Sequence, residues 1–64
     1  MNFIKRILFN RYLIKFSWID SDDEEVDDVT IVYALSNNKA LKKVERFVID
    51  SGGTHFLLTT INKL

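Results

Sequence analysis

From Arg11 to Trp18 the chain alternates residue by residue. Tyr12, Ile14, Phe16 and Trp18 fall on one side, and Arg11, Leu13, Lys15 and Ser17 on the other. A period of two sends successive side chains to opposite faces of an extended strand, and aromatic and β-branched residues favour that state. This is the longest and most apolar strand-like run, which places it at the centre of a sheet with the aromatic set on one face.

The stretch that follows, "DSDDEEVDD" from Asp20 to Asp28, packs seven carboxylates into nine residues. Like charges this dense repel one another, so an extended, solvated loop is expected. "VTIVYAL", Val29 to Leu35, then reads as a second strand, being β-branched and apolar. Ser36, Asn37 and Asn38 are helix-capping residue types. After them Ala40, Leu41, Val44, Phe47 and Val48 share one helical stripe, opposite Lys39, Lys42, Lys43 and Arg46. Phe47 on that stripe is expected to anchor the core. Gly52 and Gly53 end the helix, one of them at the left-handed C′ position. "THFLLTTI" is a third strand, with Phe56 and Leu58 on one face and Leu57 and Ile61 on the other. At the start, Phe3, Ile4, Ile7 and Leu8 recur at helical spacing, which predicts a short helix over residues 2–9, with an extra strand as the alternative.

The order of elements predicts one small α+β domain over residues 1–64. It is a three-stranded split βαβ sheet of order 2-1-3, with one main helix over one face. The other face is not polar, since it offers Leu13, Ile19, Val32, Leu57 and Ile61 or else the aromatic set. Residues 1–9, a second copy of the chain or another protein must then cover it. A domain of this length buries only about 60% of the surface its unfolded chain exposes, and small folds are usually stapled. With no cysteine and one histidine, disulfides and thiolate zinc sites drop out. A hydrophobic content of 47% is enough for a core, so stability must come from packing, self-association or both. No uncharged apolar run approaches the roughly 20 residues that span a bilayer. The basic, apolar start has its charges scattered through it, without the uninterrupted apolar stretch of a signal peptide. A cytoplasmic location is the default expectation.

Motifs for chemistry are sparse. His55 has no cysteine to partner and stands in no recognised nucleophile motif, so no catalytic residue is expected. "SGGTH" contains glycines but closes a helix, whereas a phosphate-cradling loop opens one and carries a lysine and a hydroxyl. No cofactor is implied. Asp20, Asp22 and Glu24 imitate the opening of a calcium loop, but Glu25 stands where the turn needs glycine. The final bidentate position falls on Ile31, so no specific metal site is expected either.

Charge is the remaining lead. The net charge is zero, yet residues 1–19 carry only bases and residues 20–28 only acids. Such segregation bears on partners and steering rather than on fold. Asp20, Asp22, Asp23, Glu24, Glu25, Asp27 and Asp28 together form an anionic strip like a nucleic-acid backbone, suited to a larger protein with a basic surface or nucleic-acid channel. The expectation is a non-enzymatic interaction protein in the style of small phage accessory proteins, inhibiting a host nucleic-acid-handling or defence protein by mimicry. The alternative is a small nucleic-acid-binding regulator using Arg11, Lys15, Lys39, Lys42, Lys43 and Arg46. Against it, Arg11 and Lys15 face away from the aromatic side of their strand, and no RNA-recognition glycine-aromatic pattern is present.

Overall fold

The computed structural model describes residues 9–64. Three strands and one helix follow in the order β1 (Asn10–Ile19), β2 (Glu25–Ala34), α1 (Asn37–Asp50) and β3 (Thr54–Lys63). The sheet order is β2-β1-β3, and β1 runs antiparallel to both neighbours. The alternating run is thus the central strand, and α1 is the crossover between two edge strands. The expected N-terminal helix or strand over residues 2–9 lies, but for Phe9, outside the described residues.

Alternation in β1 decides which face is inside. Tyr12, Ile14, Phe16 and Trp18 are all buried, with Ile14 wholly so. Ala40, Val44 and Val48, four residues apart, lay a narrow ridge of α1 on them. Val26, Val32, Phe56, Leu58 and Ile61 complete the core from the two outer strands. The Phe16 and Phe56 rings lie 5.7 Å apart and tilted, an aromatic pair that bridges β1 and β3.

The helix ends obey local rules. Ser36 is extended at the N-cap, and its Oγ accepts from the Lys39 N–H at 3.3 Å. At the other end Gly52 adopts φ +81°, its N–H donating to the Ile49 carbonyl, while the Gly53 N–H donates to Val48. This is a Schellman closure, which needs the left-handed conformation that glycine takes without penalty. Gly53 is required for a different reason. A β-carbon there would stand 2.2 Å from Cε3 of Trp18 and 2.8 Å from Cγ1 of Val48.

Three expectations are corrected. β2 begins at Glu25 rather than Val29, so Glu25, Val26, Asp27 and Asp28 belong to a strand and the loop is only Asp20–Glu24. Pairing with β1 supplies the backbone partners, and exposed carboxylates on an edge strand cost the fold little. Ile61 and Val32 lie on the helix side, not the far side. Val32 sits directly opposite Tyr12, and the register of β3 shifts between Lys15 and Phe16, leaving one residue extra. That bulge returns Ile61 to the face of Leu58 instead of the face of Leu57. Phe47, expected as a core anchor, is 50% exposed. It lies at the margin of the helix ridge, with its ring edge-on to Trp18 at 6.3 Å.

Candidate functional site

The β1–β2 hairpin is closed by Asp20. Its N–H donates to the Glu24 carbonyl at 2.9 Å, and its own carbonyl accepts from the Asp23 N–H at 3.0 Å. Its Oδ1 accepts from the N–H groups of Asp22 and Glu24, each at 2.9 Å. An aspartate side chain that caps its own turn in this way orders a short loop. Asp23 takes φ 64°, a left-handed position that aspartate tolerates better than most residues. Asp20 is therefore a turn-builder as well as a charge. Asp22, Asp23 and Glu24 form the exposed tip.

The acids of β2 diverge in direction. Glu25 pairs with Ile19 and Asp27 with Ser17, which puts both on the face away from α1. Asp28 pairs with Phe16 on the helix side, where its Oδ1 accepts from the Val29 N–H at 2.8 Å. All six carboxylates from Asp22 to Asp28 are exposed, and among the described residues none of them is in an ion pair. The ion pair present among the described residues is Arg46 with Asp50 at 3.6 Å, one turn apart on α1 and well exposed. Among the described residues no three acidic or histidine side chains converge as metal ligands would.

The six bases of the alternative reading do not converge either. Arg11 and Lys15 stand on the open face of the sheet, opposite Tyr33 and Val29. Lys39, Lys42, Lys43 and Arg46 lie on α1, across the sheet from them. Lys43 Nζ donates to the Tyr33 carbonyl and stands 5.7 Å from the centre of the Phe9 ring, which ties the helix to the end of β2. The aromatics that could stack on bases, Tyr12, Phe16 and Trp18, are buried beneath the helix.

His55 is exposed at φ 55°, with its Nδ1 3.0 Å from Oγ1 of Thr54. It marks the second irregularity of β3, between Ser17 and Ile19 of the partner strand. The Trp18 Nε1 is buried without a hydrogen-bond partner among the described residues.

A feature that alternation alone underrates is the open face of the sheet. Val29 (52% exposed), Ile31 (51%), Tyr33 (42%) and Leu57 (64%) lie there around Leu13 and Ile19. The residue pattern of "VTIVYAL" contains the signal, since Val29, Ile31 and Tyr33 alternate with Thr30 and Val32.

No helix among the described residues is long and apolar enough to cross a membrane. Comparison of the chain with protein-family models, with curated proteins and with solved structures finds no match.

Proposed function

We propose that this chain is a non-enzymatic interaction protein whose β1–β2 hairpin presents carboxylates to a cationic groove of a larger protein. The observation that carries the reading is the hairpin itself: its tip acids are solvent-facing and unpaired among the described residues, on a turn tied by Asp20. A charged strip held in one conformation loses less entropy on binding than a floppy acidic loop would. Seven carboxylates within nine residues make the hairpin densely anionic, as a phosphate backbone is. A protein that grips nucleic acid through lysine and arginine would meet a similar charge density here. Inhibition by occupying such a groove follows from that similarity, with fast, salt-sensitive association. A cytoplasmic nucleic-acid-handling or defence protein of a host cell is the class of partner this chemistry suits.

The second reading, direct nucleic-acid binding, has weaker support, because its bases are divided between the open sheet face and α1. The test uses two baits, the natural chain and an Asp22→Asn/Asp23→Asn/Glu24→Gln variant. The proposal expects a host protein retained at moderate salt by the first and lost by the second, with no shift of labelled DNA or RNA by either. Nucleic acid bound by both baits would overturn it in favour of the basic alternative. Equal retention of the same protein by both would remove the hairpin tip from the interface.

A further inference from the structure

We infer that the open face of the sheet is a self-complementary dimer interface, closed by a second copy of this chain with its strands antiparallel to the first. The apolar part of the face is a patch of Val29, Ile31 and Tyr33 along β2 with Leu13 beside Ile31, and Leu57 stands apart from it on β3. Ile31, Leu13 and Asn62 form one row, Val29, Lys15 and Thr60 the next, and Asp27, Ser17 and Leu57 a third. Three strands about 4.8 Å apart and ten residues long present roughly 500 Å² of projected face, or about 1,000 Å² for two copies. That reaches the lower bound for a specific interface.

Charge on this face is ordered along the strands. Glu25 and Asp27 occupy one end, and Arg11, beside Tyr33, the other. A two-fold axis lying between the sheets and parallel to the strands would set acids over acids. An axis perpendicular to the strands, lying between the Leu13–Ile31 and Lys15–Val29 rows, turns each acidic end over the partner's Arg11 end and puts Val29 of each copy against Ile31 of the other. Only the second arrangement satisfies the charges, and isologous contacts of this kind close at two. Lys15, within the apolar rows, can lay its stem on the partner's Leu13 and reach water with its ammonium. The tip acids Asp22, Asp23 and Glu24 lie beyond this face, so the inference is independent of the proposed function.

Within one chain, Arg11 and Asp27 are six residues apart along the face, about 20 Å, too far to pair. This separation supplies the test. Sedimentation equilibrium of the full chain should give a dimer, and Ile31→Asp should give a monomer with an unchanged circular dichroism spectrum. Arg11→Asp alone and Asp27→Lys alone should each weaken the dimer by at least about tenfold, and the two together should recover most of that loss. Recovery would demonstrate contact between copies, because no intrachain contact is available to restore. A natural chain that stays monomeric up to its solubility limit would overturn the inference. A dimer untouched by Ile31→Asp would overturn it as well. So would a monomer in which Ile31→Asp lowers the melting temperature without changing the mass, since residues 1–8 of the same chain would then be the cover.

Discussion

Substituting the two adjacent glycines by alanine should have unequal consequences, for unrelated reasons. At Gly52 the space is open, the nearest side-chain atom being Cβ of Ser21 at 3.9 Å from the added carbon. The cost there is the left-handed backbone at φ +81°, about 1 kcal/mol for an alanine. At Gly53 the added carbon would fall 2.2 Å from Cε3 and 2.7 Å from Cζ3 of Trp18. Neither neighbour can give easily: the indole is buried, and Val48 closes the other side at 2.8 Å. Overpacking costs about 1–3 kcal/mol and sometimes more, and close contacts on two sides put Gly53 at the upper end, about 2–3 kcal/mol. A domain of this size has roughly 3–10 kcal/mol in total, and each kcal/mol moves the melting temperature by about 4–8 °C. Thermal melts should therefore show Gly52→Ala lowered by about 4–8 °C and Gly53→Ala by twice that or more. Trimming the indole should relieve the second and leave the first alone, so Trp18→Leu should cost less in the Gly53→Ala background than in the natural one. Equal melting temperatures for the two alanine variants would refute the close approach of Trp18. Strictly additive losses with Trp18→Leu would refute it too.

Other expectations can be read from the same melts. Asp20→Ala should destabilise by about 1 kcal/mol through the loss of two exposed hydrogen bonds that order the turn, while Asp20→Asn, which keeps an acceptor, should cost much less. An equal loss for both would mean that charge rather than geometry holds the turn. Lys39→Glu should stabilise by about 0.5–1 kcal/mol, since it pairs a carboxylate with the Ser36 cap and supplies the acid that the first turn of α1 lacks. No gain in that variant would show that the cap is already satisfied. Phe47→Ala should cost about 1–2 kcal/mol rather than the larger loss of a fully buried phenylalanine, because half of the side chain is in water.

Strand order, helix position and the division of β1 into two faces were legible in the sequence, because alternation and a four-residue stripe are direct images of the two periods, but which of those faces the helix covers was not. What was not legible has physical causes. Register irregularities leave little trace in hydrophobicity, and the bulge in β3 reverses the face of Ile61 without altering any residue type. The acidic run looked like loop throughout, because repulsion argues against burial but not against an exposed edge strand paired on one side. Phe47 shares a stripe with Val44 and Val48, yet a stripe is wider than the ridge that meets a three-stranded sheet, and its margin stays in water. Of the candidate binding residues, the sequence identified the acids as a group. Only the hydrogen bonds separate Asp20, which builds the turn, from Asp22, Asp23 and Glu24, which the turn displays.

The most direct measurement of the central claim is a binding titration of the captured partner protein at two salt concentrations. It compares the natural chain with the Asp22→Asn/Asp23→Asn/Glu24→Gln variant. Because Asp20, Glu25 and Asp27 are untouched, the turn and the open sheet face stay as they are, and a melt verifies the fold. The account predicts that the natural chain loses affinity steeply as salt rises, and that the variant binds far more weakly with a flatter salt dependence. The same affinity and the same salt slope for both chains would contradict it, and would reduce the hairpin tip to a solubilising turn.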